Sequence, residues 1–563
     1  MTPPSLAISS QKVSPNALQP DSRNILWVVI VSVAIMAPAI IFGVPSNRDL
    51  TNHFRFAVPF YDAIRLGHFY PGWLAESNHG YGDPSFRFYP PALYYALAVA
   101  RALTGNWYSS ALLTFTFLSI VGGVGTYLWA RSIMSSDCAL CAAIISALAP
   151  YHLNQFYQAT LLAELAGSSL IPFSFFFIER LCQKQRMRDM AGLAISFALL
   201  VLTHLPLTVI GSIAFVFYAV LRLPKRGRWR TLFMLGGGVV LGLAASASYW
   251  VSMLAERSFI RADNIPPDLS AYRRMDFLFS TFSPENLNVW WMNILTLFTF
   301  LMIWPVVVLL FPTLRGTINS RAIISVALLL LLSLAMATKL SLPIWYFVLP
   351  LQQTQFPWRW LVIASVAGSL LVAPSWPVWR KLYAGKRRPL ALLALGSVVL
   401  SVAFSASHTV REAIFFPRQD FETMLQSIPG SVSLTFWLPT WASENIREMP
   451  APLEITGRTT RVDSWEPETR SFFVGAGEPG YMRVRTLYYP YWIVTAQGQR
   501  LATSAAEDGA LLISVPSQAL SIDLRFTEPS RVHAAAVVTA LGWLVIAGIL
   551  VTVPIRQRLF PGR

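Results

Sequence analysis

Long runs without charged side chains recur along the chain, and they constrain its fold more than any other feature. Ile25–Val44, Thr231–Ala255 and Ala534–Ile555 are three such runs. A helix of about 20 residues crosses the roughly 30 Å hydrocarbon core of a bilayer, where every backbone polar group must be bonded within the chain. Charged residues make up only 13% of the 563 residues, against roughly 25% in soluble domains. The sequence therefore predicts a multi-pass membrane protein and excludes a soluble enzyme.

The basic residues cluster between the apolar runs. The formal net charge is +16, and the segments Arg180–Arg188 and Arg222–Arg230 are both strongly basic. Such clusters mark cytoplasmic loops, because Lys and Arg beside a span orient it with that end inside. This bias explains the charge without DNA or RNA, so we expect no nucleic-acid partner.

The fold class predicted is an all-α polytopic membrane protein with a small C-terminal extracytoplasmic β domain. Residues 1–24 are predicted to be a disordered cytoplasmic tail, 25–406 the membrane core with an outer loop at 45–108, 407–532 the β domain, and 533–563 the last helix with a basic cytoplasmic tail. About twelve spans are predicted, near 25–44, 109–130, 138–151, 161–179, 190–204, 206–221, 231–252, 290–312, 322–338, 357–378, 389–406 and 534–555.

Three apolar segments allow more than one membrane topology. Pro91–Leu103 is apolar but short and contains Arg101, so we interpret it as an interfacial helix on the outer face. Met190–Leu221 is too long for one span, and we predict a hairpin that breaks at Thr203–Pro206. Leu340–Gln355 is interrupted by prolines and is interpreted as an outer re-entrant or surface element.

Short alternating runs and turn residues replace the apolar runs after residue 407. Predicted strands are Tyr481–Tyr488, Trp492–Ala496, Leu511–Val515 and Ala519–Phe526, with turns at Gly498 and Asp508–Gly509. Cys138 and Cys141 form a lone C-x-x-C pair, which we interpret as inert helix residues rather than a metal or redox site.

The first outer loop holds a dense set of charged and aromatic residues. Asp49 follows the first span directly, and His53 lies four residues later, on the same face of a short helix. Two interpretations remain open from composition alone. One is an interfacial loop with an aromatic belt and arginines that reach toward water, and the other is a functional site.

Arg48–Leu97 resembles the first outer loop of the GT-C superfamily of integral membrane glycosyltransferases. The matching features are the acid Asp49, the stretch Tyr61–Trp73 and the Pro-Pro-x-Leu-Tyr-Tyr element that follows Tyr89. More closely, the chain resembles the bacterial membrane proteins known as 6-pyruvoyl-tetrahydropterin synthase-related. That similarity is carried by Gly80-Tyr81-Gly82-Asp83-Pro84, Ala163-Glu164-Leu165, Trp250 with Glu256-Arg257, and Gln355-Phe356-Pro357-Trp358-Arg359. The segment Tyr488–Trp492 is similar to the tail of YfhO-like membrane glycosyltransferases.

The resemblance implies an enzyme that transfers a sugar from a polyprenyl-phosphate-linked donor to an envelope glycan, lipid or protein acceptor. The expected location is the bacterial cytoplasmic (inner) membrane, with both termini cytoplasmic and the chemistry on the outer face. The cofactor is unknown, and a divalent cation bound by Asp49 and Glu164 is one expectation. The open alternatives are a transporter or flippase of lipid-linked sugars and a non-catalytic polysaccharide assembly protein.

The resemblance assigns Asp49 as the catalytic base or a metal ligand, and an ion pair with Arg48 or Arg55 is the alternative. Glu164 is the second acid, and a structural pair with an arginine is its alternative. His53 is the third catalytic candidate. We expect Asp49 and Glu164 to converge on one cavity. Substrate-binding candidates are Arg359, Arg55, Asp83, Tyr89, Lys339 and His204. Arg359 would hold the lipid phosphate, and Asp83 before Pro84 has a turn as its alternative.

Overall fold

The computed structural model describes residues 21–47, 49–260, 276–283, 285, 287–314, 320–375, 388–428, 437–443 and 445–559. The predicted tail at 1–24 therefore lies almost wholly outside the described residues. Most of the described chain is helical, and a region of β-sheet precedes the last helix.

Twenty-one α-helices follow one another along the chain. They are α1 Ser22–Ile35, α2 Ala37–Phe42, α3 Leu50–Arg65, α4 Ser77–Gly80, α5 Ala92–Thr104, α6 Trp107–Arg131, α7 Ser136–Ala147, α8 Pro150–Tyr157, α9 Leu162–Lys184, α10 Met187–Thr203, α11 Leu205–Arg222, α12 Arg228–Ala245, α13 Ala247–Glu256, α14 Leu287–Leu314, α15 Ser320–Ala337, α16 Leu342–Phe347, α17 Leu349–Gln352, α18 Leu361–Val372, α19 Arg388–Arg411, α20 Arg418–Gln426 and α21 Ser530–Leu559. The helices of this count are those in the described ranges.

Five helices in the described part of the chain are long and apolar enough to cross a membrane: α6, α9, α11, α19 and α21. The number rises to seven if two bent pairs, α7 with α8 and α12 with α13, each form one span. Each of the twelve predicted segments contains a helix, but twelve spans are not confirmed. Several of these helices, such as α1 and α18, are shorter than a bilayer-spanning helix.

The predicted break between two helices at 203–206 is confirmed. α10 ends at Thr203, His204 adopts an extended backbone with φ −158°, and α11 begins at Leu205 with Pro206 in its first turn. Proline fits there because the first turn of a helix does not use that N–H. The segment 340–355 forms α16 and α17, two short helices each with proline near its start.

The segment 45–108, predicted to be the first outer loop, is connected to the end of α19 by a two-stranded sheet. β1 Val44–Pro45 pairs antiparallel with β2 Phe415–Phe416, which follows α19. Gly43 permits this contact, because it has φ +124° and a Cβ there would lie 2.2 Å from the Phe416 carbonyl oxygen. After β1 the chain enters the amphipathic helix α3, and α5 packs against both α3 and α6.

The β region contains two antiparallel sheets whose buried side chains form one cluster. The strands are β3 Leu453–Glu454, β4 Thr460–Trp465, β5 Thr469–Val474, β6 Gly480–Leu487, β7 Trp492–Ala496, β8 Gln499–Arg500, β9 Thr503–Ala505, β10 Ala510–Val515 and β11 Leu520–Phe526. Their orders are β3-β6-β10-β9 and β4-β5-β11-β7-β8. The four predicted strands are confirmed to within one residue at each end.

Candidate functional site

A buried ion pair joins the start of α9 to the start of α18. The Arg359 Nε donates to Glu164 Oε2 at 2.8 Å, and both side chains are at most 6% exposed. Glu164 Oε1 accepts two more hydrogen bonds, from the Tyr151 hydroxyl at 2.7 Å and from Gln155 Nε2 at 2.8 Å. Three donors and one opposite charge satisfy a carboxylate that would otherwise be costly to bury.

The local sequence around Arg359 fixes the direction of its side chain. Pro357 starts a short 3-10 turn, Pro357–Trp360, which leads into α18. The rings of Phe356 and Trp358 stack with centroids 4.4 Å apart, and the guanidinium lies 5.2 Å from the Phe356 ring centroid. Arg359 Nη1 also donates to the Thr354 carbonyl oxygen at 2.5 Å. These contacts hold the guanidinium toward Glu164.

The loop before α9 is tied to the segment that precedes Asp49. Tyr151 and Gln155 lie four residues apart on α8, so one face of this helix presents both to Glu164. Thr160, the second residue before α9, has a left-handed backbone with φ +50°, which is unusual for a β-branched residue. The Asn47 N–H donates to Thr160 Oγ1 at 3.1 Å. This bond places the start of α3 beside the start of α9.

Tyr89 lies within electrostatic range of both Asp49 and Arg359. Asp49 occupies the N-cap position of α3 and is half-buried. Burial raises the pKa of Tyr89, the nearby Asp49 carboxylate raises this pKa further, and the nearby Arg359 guanidinium opposes the rise. Both charged groups therefore lie within electrostatic range of the same hydroxyl. The predicted convergence of Asp49 and Glu164 stays a prediction in its detail, and this shared neighbour supports it.

His53 and His204 extend the cluster. His53 Nδ1 lies 3.0 Å from the Tyr94 hydroxyl, which in turn hydrogen-bonds to Tyr89. Burial lowers the pKa of His53 to about 4, so its imidazole is neutral at pH 7. His204 Nδ1 accepts the Leu207 N–H at 3.2 Å, and both His53 and Arg359 lie within electrostatic range of His204.

Three predicted substrate-binding residues have other surroundings. Arg55 Nη1 donates to Asn52 Oδ1 at 3.2 Å, one turn away on α3. Asp83 is buried, and its Oδ1 accepts from the Ser85 N–H at 2.8 Å, which is the alternative turn interpretation. Lys339 is exposed at the start of a 3-10 turn. Arg48, the alternative partner of Asp49, lies outside the described residues.

The donor set does not fit a divalent cation. Within the described ranges, no group of three or more His, Cys, Asp or Glu residues lies close enough to hold a metal ion. Glu164 is neutralised by Arg359 and uses both oxygens for hydrogen bonds. A hard cation such as Mg²⁺ needs oxygen ligands with free lone pairs. The described residues around Glu164 therefore do not fit a divalent-metal site.

An apolar cavity adjoins the cluster. Its walls come from α1, α6, α8 and α9 and include Leu118, Gly122, Phe156 and Ser168. Leu165 in the wall directly follows Glu164, and His152 directly follows Tyr151. The cavity and the ion pair therefore use neighbouring positions of α8 and α9. We name this space the apolar cavity.

A second buried network connects the β region to the helices. Arg87 Nε and Nη2 donate to Glu256 at 2.5 and 2.7 Å, and Arg87 Nη1 and Nη2 donate to Glu528 at 2.6 and 2.9 Å. The Tyr489 hydroxyl donates to Glu256 Oε2 at 2.7 Å, and Arg531 Nη2 donates to Glu256 Oε1 at 3.3 Å. The Arg87 partners hold its pKa above its ordinary value, against the effect of burial. We name this set the Arg87 network.

A family model described as 6-pyruvoyl-tetrahydropterin synthase related domain, membrane protein, matches residues 86–411. The chain belongs to this family. The match covers more than half of the chain and confirms the resemblance inferred from the motifs. Tyr89, Glu164, His204 and Arg359 of this synthase-related protein lie inside the matched region, whereas Asp49 and His53 precede it. No curated protein matches the chain.

Solved structures similar to this synthase-related protein include the arabinofuranosyltransferase AftD from Mycobacteria, with TM-score 0.44 and 15% identity over 71% of the chain. They also include the oligosaccharyltransferase of Archaeoglobus fulgidus, with TM-score 0.44 and 13% identity over 71% of the chain. The chain spans 28% of the first structure's length and 57% of the second's.

Sequence reasoning missed several members of the site of this synthase-related protein. Tyr151 and Gln155 were not singled out, although a polar pair four residues apart on a short helix within an apolar region was the available signal. Glu256 and Tyr489 were quoted only as parts of family motifs. Their place in the Arg87 network gives these motif residues a structural role.

Proposed function

We propose that this protein is a membrane glycosyltransferase that moves a sugar from a polyprenyl-phosphate-linked donor to a glycan, lipid or protein acceptor on the outer face of the membrane. One observation carries the proposal. The half-buried Asp49 carboxylate lies at the start of α3, the buried Arg359 guanidinium contacts the start of α9, and the apolar cavity is lined by the first half of α9. These are the groups that a sugar transfer from a lipid phosphate needs. The sequence resemblance to GT-C enzymes supports the same activity.

Asp49 is the proposed base. The acceptor hydroxyl loses its proton to the Asp49 carboxylate while its oxygen forms a bond to the anomeric carbon of the sugar. The bond between that carbon and the phosphate oxygen breaks, and polyprenyl phosphate leaves with the electron pair. Asp49 suits this role because it is half-buried at the start of α3, where water and an acceptor can reach it.

Arg359 is the proposed partner of the departing phosphate. A guanidinium stabilises the charge that develops on the leaving oxygen, and it does so best where water is excluded. Glu164 is then a positioning residue, because its carboxylate holds Arg359 by the Nε–Oε2 hydrogen bond. His53, neutral at pH 7, is suited to orienting the hydroxyls of Tyr94 and Tyr89 rather than to donating a proton from an imidazolium.

The apolar cavity is the proposed seat of the first part of the polyprenyl chain. Its lining is mostly apolar, as the binding of an apolar chain requires. Leu118, Phe156 and Leu165 provide apolar walls, and Gly122 and Ser168 leave space between α6 and α9. The proposal places the lipid phosphate at Arg359, since the cavity and the Glu164–Arg359 pair both use the N-terminal half of α9.

The proposed sidedness follows from the charges at the two ends of α9. Glu164 lies in its first turn and Lys184 is its last residue. The cytoplasmic assignment of the basic end, which contains Arg180 and Lys184, places the Glu164 end at the outer face.

The experiment uses the purified full chain in liposomes with radiolabelled polyprenyl-phosphate sugars and an envelope extract as acceptor. The proposal predicts labelled product from at least one donor with the wild-type protein and loss of that product with Asp49→Asn. Asp62→Asn is the matched control, because Asp62 is an exposed acid on the same helix. Movement of labelled donor across the bilayer without any product would instead identify a flippase. The absence of both sugar transfer and donor movement would contradict the proposal.

A further inference from the structure

A second cavity lies at the opposite ends of α6 and α9 from Glu164. Three cations line it: Arg131, Arg180 and Lys184. Arg131 is the last residue of α6, and Lys184 is the last residue of α9. We name this space the basic pocket.

Arg131 is the most telling side chain of the basic pocket. It is 8% exposed, and its Nη1 donates to the Met134 carbonyl oxygen at 3.0 Å. Its Nε is buried and has no hydrogen-bond partner in the described residues. No carboxylate of the described residues forms an ion pair with its guanidinium. A buried donor without an acceptor is costly, and an anion in the pocket would supply one.

The charges around the basic pocket are not balanced. Arg180 Nε pairs with Asp189 Oδ1 at 3.0 Å, which neutralises one cation. Lys184 lies within electrostatic range of Arg180, Arg186 and Arg188, all of which repel its ammonium group. Asp189 and Glu179 are each paired with an arginine, so the remaining cations give this end of α9 an excess of positive charge that a bound anion would offset.

The remaining walls indicate the kind of anion. Ser132 and Gln183 are polar and lie at the helix ends, whereas Leu128 and Phe176 lie one to two turns further along α6 and α9, toward their middles. Phe176 also contacts the Arg180 guanidinium, with its ring centroid 5.6 Å away. The pocket is thus cationic at its mouth and apolar on the side of the helix centres, as a lipid with a charged head and apolar tails requires.

The length of α9 places the basic pocket at the depth of lipid phosphates. Twenty residues separate Glu164 from Lys184, which corresponds to roughly 30 Å of helix, about the thickness of the hydrocarbon core. α6 and α9 are both long and apolar enough to cross a membrane. Cationic pockets between spans at this depth bind anionic lipid headgroups.

We propose that the basic pocket binds the headgroup of an anionic phospholipid, with the phosphate on Arg131, Arg180 and Lys184 and the first part of an acyl chain against Leu128 and Phe176. This inference does not depend on the proposed sugar transfer, because the pocket lies at the other end of the helices. A lipid held there would also join the ends of α6 and α9, which are among the helices that line the apolar cavity.

The test is native mass spectrometry of the full chain released from nanodiscs of phosphatidylglycerol or phosphatidylcholine, with titration of each lipid. We expect the wild-type chain to retain phosphatidylglycerol. The affinity of Arg131→Gln for this lipid should be lower than that of wild type by a factor of roughly ten or more, since a charge-assisted contact is lost. Arg226→Gln is the matched control, because Arg226 is an exposed arginine in the segment between α11 and α12; its affinity should equal that of wild type. Lys184→Gln serves as the second pocket variant if Arg131→Gln does not fold.

Three results would overturn the proposal. The first is equal retention of phosphatidylglycerol and phosphatidylcholine by the wild-type chain. The second is equal phosphatidylglycerol affinity in the pocket variants and Arg226→Gln. The third is displacement of the bound lipid by millimolar inorganic phosphate, which would identify a free anion as the ligand. None of these results depends on sugar transfer, so the proposed function stands or falls separately.

Discussion

Arg359 Nε lies 2.8 Å from Glu164 Oε2, and this contact joins residues 195 positions apart in the chain. The pair links α9 to the turn that begins α18, and Tyr151 and Gln155 of α8 complete it. The sequence presented Glu164 and Arg359 as two separate candidates, for catalysis and for phosphate binding, with a structural pair between Glu164 and an unspecified arginine as the alternative, and the structure contains that pair. Their contact makes them one unit, in which each charge compensates the other.

Breaking this pair is predicted to destabilise the fold strongly. Glu164→Gln and Arg359→Gln should each cost about 3–5 kcal/mol, because each leaves one buried charge uncompensated. The double variant should lose less than the sum of the two single losses, as coupled neighbours do. Thermal unfolding in detergent measures all three. Glu422→Gln, in an exposed pair with Arg418, is the control and should change stability little; additive single losses would contradict the prediction.

The Arg87 network is predicted to hold the β region against the helices. Glu256→Gln should weaken the bonds from Arg87, Tyr489 and Arg531, because an amide presents one acceptor oxygen in place of two. Limited proteolysis should then cleave the segment between α20 and β4 faster than in wild type. Asp463→Asn, in an exposed pair with Arg461 outside that segment, is the matched control. Equal cleavage in both variants would show that the network does not perform this role.

The buried His53 is predicted to make the protein sensitive to acid. Burial lowers its pKa to about 4 in the folded chain, below the value of about 6.5 in an unfolded chain. Its contribution is therefore complete above pH 6.5 and is lost as the pH falls from 6.5 toward 4. The total change is about 3 kcal/mol by linkage.

This prediction is checked by unfolding temperatures between pH 7.5 and pH 4.5 for wild type and His53→Gln. The two curves should converge as the pH falls, because the variant lacks the titrating imidazole. His533→Gln is the control, since His533 is exposed. Parallel curves for wild type and His53→Gln would exclude a depressed pKa at His53.

Filling the apolar cavity is predicted to weaken use of the lipid donor. Ser168 lines the cavity and is 4% exposed, so Ser168→Phe should occupy space that the polyprenyl chain needs. We expect a several-fold higher KM for a long-chain donor with kcat at saturation unchanged, because bound substrate and transition state lose the same contact. Ser168→Ala is the control, because alanine removes the hydroxyl and leaves the cavity unfilled. An unchanged KM with a correctly folded Ser168→Phe variant would place the lipid elsewhere.

The sequence predicted the helices, the β region and many site residues because each has a local signal. Uncharged runs indicated α6, α9 and α21, and alternation with turn glycines indicated β7 and β11 within a residue. Family motifs indicated Glu164 and Arg359. The number of spans could not be predicted as well, since run length does not show where a helix bends, as between α12 and α13, which differ in direction by 72°.

Long-range partners were beyond the sequence for a physical reason. Arg359 reaches Glu164, and Arg87 reaches Glu256 and Glu528, only after distant helices pack. Nothing local distinguishes such an arginine from one that reaches toward water at a helix end. Asp83 illustrates the opposite case, because the turn before Pro84 was a local alternative and the structure contains that turn.

The most direct test of the central claim is single-turnover sugar transfer by Asp49→Asn at saturating polyprenyl-phosphate donor, beside Asp62→Asn. If Asp49 removes the proton from the acceptor, Asp49→Asn should bind donor as wild type does and transfer sugar roughly 10²–10⁴-fold more slowly, while Asp62→Asn should match wild type. Transfer by Asp49→Asn at the wild-type rate would contradict the account.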